Sequence, residues 1–269
     1  MAKFLKKFQN HAQYETYSAS TEYLTPNVSY CAQEDEVHYN QSVIPPTPSA
    51  TAITYTASTQ LNIDLTKFTP AATAETFADG VGTIEFNAPV TAIGVNAFNF
   101  CSGLTSIVIP DSVTSIGEHA FYFCSGLTSI DIPSGVTSIS DSAFTYCRSL
   151  TSVTIPDSVT TINSWAFYSC SDLKSINIPD SVTIIGNSAL CGNPIRRVTI
   201  GTGITSINQY ALSYCQMLES ITIKATTPPT LGFEALVATN GCPIYVPAES
   251  VNAYKSAWSE QASRIQAIF

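Results

Sequence analysis

The residues of this chain best suited to chemistry are eight cysteines and three histidines in 269 residues. Cys101, Cys124, Cys147 and Cys170 follow one another at intervals of 23 residues. A constant interval belongs to a repeat rather than to disulfide pairing. A free thiol packs as a small hydrophobe, so the four read as a reduced ladder along a core, suited to synthesis in a reducing cytosol. His11, His38 and His119 are too scattered for a catalytic constellation, and His119 falls at an outward position. Cys31 and His38, with the acidic run Glu34–Glu36 between them, offer metal-ligating types, but their spacing fits no strong zinc pattern. A loop of solvated carboxylates is the plainer reading. No phosphate-cradling glycine loop, nucleophile elbow or HExxH is present. Serine recurs at the second position in rung after rung, so its abundance does not point to a nucleophile. Asn27-Val-Ser29 fits a glycosylation sequon, read as coincidence because no secretion signal is expected. No catalytic residue, cofactor or metal site is expected, and the chain is not read as an enzyme.

Only 12% of the residues are charged, against roughly 25% in ordinary soluble domains. Solubility therefore falls to Ser, Thr and Asn. The net charge of −9 argues against nucleic acid, which selects a Lys/Arg surplus, and against an anionic membrane surface. No apolar run approaches the length of a transmembrane helix. The opening Met1-Ala-Lys-Phe-Leu-Lys-Lys lacks the apolar region of a secretion signal.

The elements that position these residues repeat. Residues 105–127 read TSIVIPDSVTSIGEHAFYFCSGL, and 128–150 and 151–173 follow the same template. Residues 82–104 are a looser copy, 174–195 is one residue short, 196–218 is a sixth copy, and a seventh opens at 219. In each, the third and fifth positions (Ile107 and Ile109) alternate with polar neighbours, which predicts a short strand with one buried face. Proline (Pro110, Pro133, Pro156, Pro179) ends that strand. Val113 and Ile116 form a second apolar pair. The three- and four-residue steps of Ala120-Phe121-x-x-Cys124-x-x-Leu127 predict a short inward-facing helix. No block covers its own apolar face, so stacking is required, with parallel strands in register.

The pattern I-x-I-P-x-x-V-T-x-I-G-x-x-A-F-x-x-C-x-x-L resembles the BspA-type leucine-rich repeat over residues 82–236. The resemblance implies an α/β solenoid, a right-handed leucine-rich-repeat superhelix of about 23-residue repeats with a parallel strand face and short helices opposite. It also implies adhesion and protein binding. The expected organisation is an N-terminal anchor with a proline-rich linker over 1–50, a β cap over 51–81 with a hairpin in 51–66, repeats over 82–223, and a C-terminal cap over 224–269. The segment Cys242-Pro-Ile-Tyr-Val-Pro247 with Val251 and Tyr254 resembles the family's closure, read as a strand at 243–246 and a helix from Ser250 to about Ala262.

Residues 1–24 suit an amphipathic helix with Phe4 and Phe8 on one side, docking on the chain itself or on a sister chain. The stretch around Tyr30, Cys31, His38 and Tyr39 resembles a leader found ahead of unrelated domains in gut-bacterial and phage proteins. With Phe4 and Phe8 these residues form a candidate assembly anchor, through which the chain would form a homo-oligomer or join a virion.

Any site should be a surface. The outward strand positions are Thr105, Ser106 and Val108; Thr128, Ser129 and Asp131; Thr151, Ser152 and Thr154; Lys174, Ser175 and Asn177; Arg196, Arg197 and Thr199. They predict a flat hydrogen-bonding face that turns basic toward its end, suited to an acidic partner. A second stripe, Phe100, Phe123, Tyr146 and Tyr214, either packs between neighbouring helices or forms an aromatic contact patch. The functional expectation is a binding or adhesion scaffold for protein or glycan, exposed on a cell or particle surface. The alternative is a phage head or tail fibre or decoration protein anchored by residues 1–50.

Overall fold

The computed structural model describes residues 49–268 throughout; within 1–48 it describes only the backbone of three short strands. The chain divides into two units, 1–48 and 49–269. In the first, Glu36–Tyr39 lies between Lys6–Lys7 and Val28–Cys31, antiparallel to both. The helix expected over 1–24 falls largely outside the described residues, and the two residues of it that are described, Lys6–Lys7, form a strand instead.

The second unit is a β-solenoid of about eight turns. Its period shows in the register Ser129↔Ser152 and Thr161↔Ile184. Each rung contributes to three columns. The first is the expected strand: Ser152–Thr154, Ser175–Ile178, Arg197–Ile200 and Ser220–Ile223 are successive members, each parallel to its neighbour where paired. The second is a two-residue strand, such as Ser115–Ile116 or Ser138–Ile139, parallel from rung to rung. The inward residues are those the alternation selects. Val113, Ala120, Phe121, Cys124 and Leu127 are wholly buried, and so are their counterparts through the central rungs. Phe98, Phe121, Phe144 and Phe167 stack with centroids 5.1–5.3 Å apart and planes within 7°.

The third column corrects the expected helices. Residues 117–124 form consecutive tight turns, with Ala120 N bonding Gly117 O, Tyr122 N bonding His119 O and Cys124 N bonding Phe121 O. His119 and Phe123 hold positive φ of 54° and 59°. Their N–H groups, with that of Phe121, leave the rung and donate to Asp141, Thr145 and Ala143 of the next. Two turns whose left-handed residues lie four apart give the same apolar spacing as a helix, which is why the sequence pattern does not separate them. Each left-handed non-glycine residue costs roughly 1–2 kcal/mol, offset by bonds that lock adjacent rungs.

The N-terminal end departs from the expected hairpin over 51–66. Ala52–Ala57 runs antiparallel between Val81–Glu85 and Leu104–Val108, a wedge between the strands of the first two rungs. The hairpin is instead Ala74–Ala78 with Val81–Glu85, closed by Asp79-Gly80, both at positive φ. That pair suits a two-residue turn matched to strand twist. Phe68–Thr69 pairs antiparallel with Ala92–Ile93 at the start of the second column.

At the other end the chain forms the strand Ile244–Val246, a helix over Val251–Ala257 that is shorter than expected, and a returning strand Ile265–Ala267 parallel to Ile244–Val246. Tyr254 Oη donates to Ala225 O at 2.9 Å and Trp258 Nε1 to Pro229 O at 3.0 Å, tying the helix to the last rung. No described helix is long and apolar enough to cross a membrane.

Candidate binding surfaces

On the strand column every expected outward residue reaches the surface. Ser106, Val108 and Thr199 are half-buried and the other twelve are exposed. The hydroxyls divide by position. Those at the first position turn inward along the axis: Thr105 Oγ1 donates to Thr56 O, Thr128 to Thr105 O and Thr151 to Thr128 O, at 3.1–3.2 Å. A parallel series on the second column, Thr114, Thr160, Thr183 and Thr205, donates to the preceding rung in the same way. Threonine at these places seals rungs together. Ser129, Ser152, Thr154, Ser175 and Asn177 keep their polar groups unengaged among the described residues, so the free hydrogen-bonding capacity lies at the second and fourth positions.

The basic end of this face carries its own counter-ion. Glu219, which opens the seventh rung, takes Arg196 Nη1 at 2.8 Å on one oxygen and Arg197 Nε at 3.5 Å on the other. All three side chains are well exposed. Lys174 has no such partner among the described residues, so the patch keeps a positive surplus. Glu219 escaped the sequence reading because it belongs to the next block.

The aromatic stripe is larger than four residues. Phe100, Phe123 and Tyr146 follow at centroid distances of 5.6 and 5.5 Å, with Tyr122 and Tyr168 packed edge-on beside them. The Arg148 guanidinium lies 5.2 Å from the Phe123 ring and 5.7 Å from that of Tyr146, close enough for a cation–π contact. Phe100 is 63% exposed, while Phe123 and Tyr146 are half-covered by their neighbours. Tyr214 stands apart, because Ser169 and Gly192 occupy its place in the two preceding rungs.

Seven cysteines of the second unit are free and buried. Cys124, Cys147, Cys170 and Cys215 each donate Sγ–H to a backbone carbonyl of the preceding rung at 3.0–3.2 Å. In the short fifth rung Asn193 takes this place, its Nδ2 donating to Phe167 O and Leu190 O, both at 2.8 Å. Burial pushes the Cys170 and Cys215 thiols up to about 12, which suppresses the thiolate that metal binding or nucleophilic attack needs. Among the described residues no three His, Cys, Asp or Glu side chains converge on a metal-sized site. His119 is half-exposed beside Tyr122, at 5.4 Å.

A groove of about 650 Å³ opens at the C-terminal end between the last turn column and the helix, lined by Phe233, Glu234, Val237, Ala257, Trp258 and Glu260. No motif marks it, since it forms only where the stack stops. Of the assembly-anchor residues, Phe4 and Phe8 lie outside the described residues. Tyr30 and Cys31 fall in the strand Val28–Cys31, and His38 and Tyr39 in Glu36–Tyr39.

The model of the "BspA type Leucine rich repeat region" matches residues 74–190 and 137–259, in six copies. Among solved structures the chain resembles a leucine-rich repeat protein of Bacteroides ovatus, with 30% identity and a TM-score of 0.51 over 65% of this chain and 50% of that one. This chain thus spans about half of that protein's length. The T. pallidum leucine-rich repeat protein aligns at 26% identity and a TM-score of 0.55, over 67% of this chain and 80% of that one. The pneumococcal vaccine antigen PcpA shares the fold, at 23% identity and a TM-score of 0.51 over 66% of this chain and 42% of that one. No curated protein matches.

Proposed function

Because the chain belongs to the BspA-type leucine-rich repeat family, we propose that it is a non-enzymatic binding scaffold whose protein ligand lies along the outward strand face. The observation that carries this reading is the run of unengaged Ser129, Ser152, Thr154, Ser175 and Asn177 on rungs sealed by threonine, leading to Lys174, Arg196 and Arg197. Short side chains on a rigid ladder lose little rotamer freedom on contact. The basic end favours acidic side chains, and a glycan would use the same hydroxyls. In this reading the superhelix is right-handed, as crossovers between parallel strands nearly always are. Its apolar core is closed by residues 51–81 and 224–269, and residues 1–50 serve as a separate assembly segment.

The test screens the full chain against a displayed peptide library and a glycan array. Binding should fall by about tenfold or more in the pair Ser129→Glu and Thr154→Glu, and persist in Met217→Glu, half-exposed outside this face. Ligands that tolerate the pair but are lost in Phe123→Ser would move the site to the aromatic stripe and defeat the strand-face reading.

A further inference from the structure

The first position of the strand column changes its residue type where the face turns basic. Thr105, Thr128 and Thr151 stand there in three successive rungs, each hydroxyl donating to the carbonyl of the strand beside it. The next three rungs carry Lys174, Arg196 and Glu219 at the same place. Arg196 N bonds Lys174 O at 2.9 Å and Glu219 N bonds Arg196 O at 2.7 Å, so the three succeed one another directly. None of them can form the hydroxyl seal. On the second column of these same rungs, Thr183, Thr205 and Thr230 still donate to the carbonyl before them, at 3.0–3.3 Å. The exchange is therefore confined to the outward strand face, where three sealing bonds have given way to charge.

The charges form a compact grid. Ser175 is in register with Arg197 and Arg197 with Ser220, so two serines flank one guanidinium beside the column of Lys174, Arg196 and Glu219. Of the 11 Lys and Arg residues, Lys3, Lys6 and Lys7 precede residue 49, and three of the remaining eight fall here. Three cations against one carboxylate leave a local charge of +2 in a chain whose net charge is −9. Glu219 spans both guanidinium groups, and its side chain is 44% exposed. A solvent-exposed ion pair of this kind holds weakly, so a ligand can displace it at little cost.

We propose that this grid binds an extended peptide carrying two acidic side chains two residues apart, and that Glu219 is a built-in competitor that excludes single acids. The inference rests on the strand-face reading and names the partner's chemistry at the basic end. A ligand with one carboxylate exchanges like for like at the two arginines. Glu219 is tethered beside them and wins that exchange through its effective concentration. A second carboxylate, two residues along an extended peptide, lies about 7 Å from the first on the same face. It meets Lys174, which stands two rungs, about 10 Å, from Glu219. The pair of acids therefore gains a contact that Glu219 does not replace. The negative field of the whole chain disfavours a long polyanion, so a short acidic motif is what the grid selects.

The experiment titrates the full chain with three capped peptides, Ser-Glu-Ser-Glu-Ser, Ser-Glu-Ser-Gln-Ser and Ser-Gln-Ser-Gln-Ser, followed by NMR at the arginine Nε–H groups. The two-acid peptide should bind roughly two- to fivefold more tightly than the one-acid peptide, the range of one exposed ion pair. The uncharged peptide should move nothing. Lys174→Gln should abolish the preference for two acids, and Glu219→Gln should tighten both acidic peptides by a similar factor. Equal binding of one and two acids by the native chain overturns the proposal, as does binding that Glu219→Gln weakens or leaves unchanged, or no shift with either acidic peptide. The library ligands separate this inference from the wider one. Ligands lost in the Ser129→Glu and Thr154→Glu pair but indifferent to Lys174→Gln and Glu219→Gln overturn the proposal and leave the strand face standing. The expected peptide pattern, with library ligands indifferent to that pair, supports the grid and defeats the wider face.

Discussion

The ring of Tyr55 lies over its register partner Gly82 so closely that a β-carbon there would fall 1.9 Å from Tyr55 Cζ. The same glycine faces Phe77 on its other side, and the two rings stack at 6.2 Å across it. Tyr55 Oη also donates to Glu75, which fixes the ring further. The wedge strand can enter between the first rungs because this one position of the repeat has lost its side chain.

Gly82→Ala should therefore destabilise the chain by roughly 1–3 kcal/mol, the usual cost of overpacking. Gly103→Ala is the control, since its new carbon would meet Leu61 and Ser58 at an ordinary 3.6 Å; it should stay within about 0.5 kcal/mol of the native protein. Urea denaturation of both variants decides, and equal losses would show that the Tyr55 contact is not the cause.

Asn193→Ala removes two donors from the buried carbonyls of Phe167 and Leu190. Leu190 O keeps the Cys215 thiol as a donor, but Phe167 O is left without one, and orphaning a buried acceptor costs about 1–3 kcal/mol, so the midpoint of chemical unfolding should fall. Asn193→Cys, which restores the donor used in the neighbouring rungs, should recover part of the loss.

Ala238 holds a φ of 53° with its side chain exposed, and the equivalent residue two rungs earlier is Gly192 at 75°. Ala238→Gly should raise the melting temperature, because relief of left-handed strain, about 1 kcal/mol, outweighs the added freedom of the unfolded chain. A lower melting temperature would mean that the turn is not strained.

The buried thiols set a pH dependence and a labelling pattern. In a Cys31→Ser background, the seven described cysteines should resist a thiol reagent at pH 8 until the chain is unfolded. Their ordinary value is 9.0, and burial holds Cys170 and Cys215 at about 12 in the folded chain. Above pH 9 the unfolded state sheds protons that the folded state keeps. The stabilisation is therefore complete below pH 9 and lost as pH rises toward 12. Chemical denaturation at pH 8 and 10 checks the sign: stability should be lower at pH 10.

The fold was legible where a residue's role repeats. Ile107, Val113, Phe121 and Cys124 and their counterparts announce burial through spacing alone, and the strand face follows from the same count. What escaped depends on partners far away in the chain. The turns over 117–124 and a helix share one apolar pattern, and only the direction of the N–H groups separates them. Ala52–Ala57 alternates as a strand should, but nothing local says that it enters between two rungs. Ile265–Ala267 is too short to announce itself, and Glu219 joins Arg196 and Arg197 only after the rungs stack.

The threonine bonds have a consequence for heredity. Thr151 donates to Thr128 as Thr128 donates to Thr105, so excision of residues 128–150 would bring Thr151 to the carbonyl of Thr105 and remake the same bond. The neighbouring phenylalanine and cysteine stacks would close in the same way. A gene built on such a unit can shorten or lengthen by whole copies while each intermediate still folds, so its length is free to drift under recombination in steps that point mutation cannot make.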